Sequence, residues 1–136
     1  MDKTEEDSVI KANLAAVEAH FHNEAQNEVE KACEFYTEDI VWEAPARNLR
    51  FVNKQDVIDN YRKMFASVKD VEFRNLQRFA TQDRVVDDSI GRFKLIGPHL
   101  VPVPIGSEVE MRLVHIFEMR EGKIAKEIAF EMWKVV

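Results

Sequence analysis

The stretch Ser107 to Trp133, SEVEMRLVHIFEMREGKIAKEIAFEMW, constrains the fold more than any other part of the chain. Two long apolar-rich runs flank the short connection Arg120-Glu121-Gly122-Lys123. In the first run Met111, Leu113, His115, Phe117 and Met119 share one parity, and Val114 and Ile116 take the other. In the second, Ile124, Ile128, Phe130 and Met132 alternate with Ala125, Glu127, Ala129 and Glu131. Period-two patterning of this length around a Gly-containing turn predicts an antiparallel hairpin. Both of its faces are apolar enough to need cover, one from helices and the other from a second copy of the chain. The polar residues His115, Glu127 and Glu131 interrupt this apolar pattern and mark where chemistry is to be sought.

The rest of the chain predicts helices before strands. Thr4 and Asp7 read as an N-terminal cap for a helix carrying Ile10, Leu14, Val17 and Phe21 at helical spacing. A break near Asn23 to Asn27 leads to a second helix capped by Asn27, with Val29, Cys33 and Tyr36 on one stripe. Ile40 to Ala44 is a short β-branched and aromatic strand ended by Pro45, and Leu49 to Phe51 is a second. Asn53 caps a third helix with Val57, Ile58, Tyr61, Met64 and Phe65 inward.

Beyond that helix the chain is mostly strand. Val71 to Phe79 places Val71, Phe73 and Phe79 on one side, and Arg84 to Ile96 follows, with Gly91 read as a bulge or bend. The run Gly97 to Gly106, GPHLVPVPIG, is a loop over one end of the sheet. Helices gathered first and long antiparallel strands afterwards predict an α+β fold: a strongly curved, mixed or antiparallel sheet wrapped around the N-terminal helices, leaving a conical internal cavity. At 136 residues the whole chain, 1–136, reads as one domain.

Composition narrows the function classes. A formal charge of -6 and the lack of any Lys/Arg cluster disfavour nucleic acid as a partner. Cys33 is the only cysteine, which excludes an internal disulfide, and its apolar stripe predicts a buried thiol. The acidic start MDKTEEDS lacks an apolar leader and no run reaches membrane-spanning length, so the reading is a cytoplasmic protein without membrane contact. No Gly-rich phosphate loop, Ser-His-Asp order or metal-ligand spacing is present, so neither a metal nor an organic cofactor is expected.

The order FYTEDIVWEAP, then NKQDVIDNYRKMF, then VHIFEMREGKIAKEIAFEMW resembles the nuclear-transport-factor-2-like superfamily, and within it the SnoaL-like proteins, from about His20 to Trp133. The resemblance implies the cystatin-like cone fold and a choice among cofactor-free isomerase, cyclase and dehydratase chemistry, or a non-catalytic binding or dimerisation module. It carries over residue by residue with gaps. The aspartate base of ketosteroid isomerases falls on Ala44, and the acid/base aspartate of the cyclases falls on Ala129. The oxyanion-stabilising acid of the isomerases corresponds to His115, a position where SnoaL-like cyclases also carry a pocket histidine. The isomerase tyrosine on the first helix falls near His20. The Arg-x-Asp pair of limonene epoxide hydrolases is not matched by Arg112-Leu113-Val114.

Two readings of His115 stay open: a core histidine bound to backbone, or an acid/base group oriented by Glu131 or Glu127 across the strands. On the second reading His115 and Glu131 are the catalytic candidates. His20, Trp42, Tyr61, Phe117, Ala129 and Asp87 are then the ligand-binding ones. Asp87 and Asp88 are strand neighbours, so only one of them can enter the cavity. His20 and His22, two apart on a helix, make a poor metal site. The expected ligand is a small hydrophobic molecule containing a ring. The expected assembly is a homodimer through the outer parity Val114, Ile116, Ile128, Phe130 and Met132.

Overall fold

The computed structural model describes residues 2–136 and has the α+β architecture expected from the sequence. Helix α1 spans Lys3–Ala25 and α2 spans Val29–Cys33; β1, Tyr36–Ala44, follows. A 3-10 turn, Pro45–Arg47, leads to β2, Leu49–Phe51, and then to α3, Lys54–Ala66. The chain ends in four long strands: β3 (Val68–Ala80), β4 (Arg84–Leu95), β5 (Glu108–Arg120) and β6 (Lys123–Val135). With β1 and β2 they form one six-stranded sheet in the order β2-β1-β6-β5-β4-β3, curled but not closed. Only β1 and β6 run parallel; every other pairing is antiparallel. No described helix is long and apolar enough to cross a membrane.

The β5–β6 hairpin forms as the alternation requires. Glu121 and Gly122 take positive φ, 52° and 77°, the two-residue turn whose twist matches that of the flanking strands. His115 and Phe117 point inward, and Glu127, Ala129 and Glu131 do so from β6. Phe130 and Met132 lie outward at 44% and 65% exposure. Ile124 departs from this parity. A register shift between Glu118 and Met119 turns it into the core, where it is fully buried.

Several local readings are corrected. The α1 cap is Asp2, whose Oδ1 accepts the Glu5 N–H at 2.8 Å, so Thr4 lies inside the helix. Asn27 takes a left-handed φ of 58°, which an N-cap residue does not adopt, and Glu28 occupies the cap of α2 without a side-chain bond. Strand β1 starts four residues earlier than Ile40, at Tyr36, after which its pairing with β6 shifts.

In β3 the register shifts between Asn75 and Gln77, and the extra residue reverses parity. Phe73 therefore faces the cavity while Phe79 is turned to solvent, against the single-sided alternation read from the sequence. The bulges lie in β3 and not at Gly91, which stays in register with Phe73 and Met111. A Cβ at Gly91 would sit 3.1 Å from the Phe73 ring, so the missing side chain is what admits that ring. The loop of residues 97–106 closes one end of the sheet, and Val101 from it is buried in the β4–β5 core.

Candidate active site

Helices α1 and α3 cover the concave face of the sheet and leave between them a cavity of about 90 Å³. Its walls are apolar over most of their area, supplied by residues such as Phe65, Val71, Phe93 and Met111. Five acidic or basic side chains converge on it, Glu24, Arg47, His115, Glu127 and Glu131, beside the Tyr61 hydroxyl and the Trp42 indole. The volume is below the roughly 150 Å³ that admits a benzene ring.

At its floor lies Glu127, buried at 1% exposure in the middle of β6. Its Oε1 accepts the Tyr36 hydroxyl at 2.6 Å, and its Oε2 accepts the Trp42 indole N–H and the Tyr61 hydroxyl, each at 3.2 Å. The two tyrosine oxygens are 2.8 Å apart, which closes the network. Behind it, His20 donates from Nδ1 to the Ala32 carbonyl at 2.8 Å, while its Nε2 stands 2.9 Å from Glu24 and 3.5 Å from Glu127.

Burial opposes charge on His20, but the two carboxylates outweigh it and lift its pKa well above the usual imidazole value. Burial also works against the Glu127 carboxylate, and the bond and charge of His20, the charge of His115 and the Tyr36 bond hold it below the normal carboxylate range. Both tyrosines are pushed well up, by burial first and then by the Glu127 charge, and so remain phenols that donate. Glu127 is thus a fixed buried anion.

His115 sits on the wall in a different setting. Strand register places Asp87 of β4 on one side of it and Ala129 of β6 on the other. The Asp87 carboxylate is 3.6 Å from Nδ1 and is itself held by Arg78 at 2.7 Å, Asn75 at 2.7 Å and Ser89 at 2.8 Å. The imidazole stacks on Phe117, with centroids 5.7 Å apart and planes at 19°, and meets the edge of Phe21. Neither ring nitrogen makes a hydrogen bond to another described residue. Burial lowers the His115 pKa, but neighbouring Asp87, with the charges of Glu127 and Glu24, reverses that and raises it. Asp87 is lowered in turn, because the neighbouring His115 ring and the bonds from Arg78 and Ser89 exceed the penalty of burial. His115 also lines a second recess of about 190 Å³, whose wall includes Glu18, His22 and Arg78.

The candidates read from sequence therefore divide. His115, Glu131, Trp42, Tyr61 and Ala129 line the cavity. His20, Phe117 and Asp87 lie behind its walls, fully buried: His20 under the Glu127 network, Phe117 and Asp87 against the imidazole. Glu131 is not the partner of His115. It pairs with Arg47 through Nε at 2.8 Å and Nη2 at 2.9 Å, because two residues of strand separate it from Ala129, which is opposite His115. The alternation marked Glu127 as inward but gave no sign that Tyr36 and Tyr61 would saturate it. Arg47 and Glu24 were missed, Arg47 because a 3-10 turn has no periodicity to reveal it.

Asp88 faces outward and pairs with Arg112, as strand alternation requires. Cys33 is buried, and desolvation, with the charges of Glu24 and Glu127, pushes its thiol up to about 12, which makes it an unreactive core residue. Among the described residues no three His, Cys, Asp or Glu side chains are placed to hold a metal ion.

Residues 17–127 match the family described as the SnoaL-like domain. Solved structures share the fold at low identity. A protein from Jannaschia sp. CCS1 described as a SnoaL-like polyketide cyclase superposes with a TM-score of 0.80 at 17% identity, over 90% of this chain and 87% of that one. SalBIII, described as an epoxide hydrolase/cyclase-like enzyme of pyran ring formation in the polyether salinomycin, gives 0.77 at 17% identity, over 93% and 97%. A protein from Kribbella flavida DSM 17836 described as a ketosteroid isomerase gives 0.67 at 13%, over 90% and 79%. A comparison with curated proteins finds no match.

Proposed function

The chain belongs to the SnoaL-like domain family, and from that premise we propose that it carries out cofactor-free acid-base chemistry, of the cyclase or isomerase kind, on a small and largely apolar molecule held in the cavity. The observation that carries this reading is the His115–Asp87 pair, a histidine on the wall of an apolar cavity whose Nδ1 side faces a buried carboxylate. A carboxylate placed there stabilises the imidazolium and fixes the ring, leaving Nε2 to give or take a proton. The second recess that His115 lines, with Glu18, His22 and Arg78 in its wall, offers a route for proton exchange with solvent. Glu127 does not act as the base in this scheme, since three donors and the His20 ring already surround its two oxygens. Its role is a fixed negative charge that favours cationic character nearby and holds Tyr61 and Trp42 in place.

The test is a thermal-shift screen with steroid-like, polyketide-like and terpenoid compounds on the wild type and on Ala129→Trp, which fills the cavity opposite His115. A ligand at a hundred times its dissociation constant stabilises the native state by about 2.7 kcal/mol. The expected result is a shift of the wild type that Ala129→Trp loses, with His115→Ala reducing turnover of the ligand so found by roughly 10²- to 10⁴-fold. Full turnover by His115→Ala sinks the catalytic role. One observation favours a non-catalytic binding module: alanines 44 and 129 occupy the positions where the family's isomerases and cyclases keep their carboxylates. Saturable binding without turnover of any bound compound would select it.

A further inference from the structure

Outside the Arg47–Glu131 pair lies a groove of about 470 Å³ between the 3-10 turn, β2, α3 and the loop of residues 97–106. It shares two residues with the inner cavity, Arg47 and Leu100, so the guanidinium stands between the two spaces. No carboxylate lines it, although the chain as a whole carries a formal charge of -6. Its polar wall groups are Arg47, Lys63, Asn60, His99 and the indole of Trp133. Counting Arg47 and Lys63 against Glu131, the local balance is one net positive charge. Lys63 makes no ion pair with any described residue, and the Trp133 N–H makes no hydrogen bond to one. Arg47 gives Nε and Nη2 to Glu131 and Nη2 also to the Met64 sulfur at 3.3 Å, while Nη1 bonds to no described residue. Glu131 thereby fixes the fork of Arg47 while leaving one of its edges available.

We propose that this groove is the subsite for the carboxylate of an amphiphilic ligand whose apolar part passes Leu100 into the cavity. Arg47 Nη1 and Lys63 Nζ bind the head group, and Asn60, His99 and Trp133 supply further donors. The ligand class is then a small carboxylic acid with an apolar tail, which narrows the acid-base reading above and rests on it only for the identity of the cavity.

The experiment compares octanoate with 1-octanol by titration calorimetry, on the wild type, Lys63→Glu and Ala129→Trp, with melting temperatures recorded to confirm folding. Lys63 is exposed, so its replacement leaves the core intact. The expected result is that octanoate binds the wild type at least tenfold more tightly than 1-octanol. Lys63→Glu weakens octanoate about tenfold and leaves 1-octanol unchanged, and Ala129→Trp weakens both. Equal affinity for acid and alcohol, or indifference of octanoate to Lys63→Glu, overturns the carboxylate subsite. In that case loss of 1-octanol binding in Ala129→Trp still upholds the cavity. Octanoate binding unaffected by Ala129→Trp also overturns the proposal, because the ligand then does not reach the cavity.

Discussion

Glu127 accepts three neutral donors and faces His20, so at 1% exposure its charge is compensated mainly by protein groups. Removing the carboxylate strands those donors and leaves His20 with Glu24 as its remaining anionic contact. Breaking a buried charge pair from one side costs about 3–5 kcal/mol. Glu127→Leu is therefore expected to lose stability of that order in urea unfolding followed by tryptophan fluorescence, and a loss below about 1 kcal/mol would show that the network is not held together by this charge. His115 is set up differently, with one carboxylate beside it and a face on the cavity. Sequence alternation separates the two environments only partly. It places Glu127, Glu131 and His115 on one face. It cannot tell which of them meets Tyr36, Arg47 or Asp87, because those contacts come from β1, a 3-10 turn and β4. The pairing of His115 with Glu131 failed for that reason, and Asp87, read as a ligand-binding candidate, is instead the carboxylate beside the ring through the β4–β5 register.

Strand parity explains both the success and the errors at the next scale. Where pairing is regular, as along β5 from Met111 to Phe117, the inward residues were legible as inward. Where a strand carries an extra residue, parity reverses without any residue announcing it. Phe79 is the clearest case: it shares a period-two pattern with Phe73, yet the shift between Asn75 and Gln77 places it on the opposite face. Gly91, which attracted a bulge reading, is instead the partner that makes room for Phe73. Gly91→Ala is expected to push that ring aside and cost on the order of 1 kcal/mol, in line with modest overpacking. Thermal unfolding of the variant checks this. A melting temperature at or above that of the wild type would mean that the ring moves freely, and that the glycine has no packing role.

The helices-first order and the long antiparallel strands were enough to anticipate the architecture, because a curved sheet with one apolar face has few ways to be covered. The outer face is a separate matter. Phe130 and Met132 are exposed there beside Val114 and Ile116, and ion pairs Arg112–Asp88 and Arg92–Glu110–Lys134 lie around them. An apolar centre with a polar rim suits a self-complementary contact, and we propose that two copies of the chain pair through this face. Light scattering at micromolar concentration is expected to give twice the chain mass, and Phe130→Arg to give a monomer. A wild-type monomer would remove the proposal.

We propose that Asp87 holds His115 as an imidazolium-prone acid-base group on the cavity wall. The raised pKa makes its contribution to stability full below the unfolded value of 6.5, and that contribution is lost as pH rises through the folded value. The direct measurement is a titration of the His115 ring by heteronuclear NMR, in the wild type and in Asp87→Asn, with His115→Gln used for assignment. A midpoint above 6.5 that drops in Asp87→Asn is the predicted result. A midpoint at or below 6.5, or one that Asp87→Asn leaves in place, would contradict the claim.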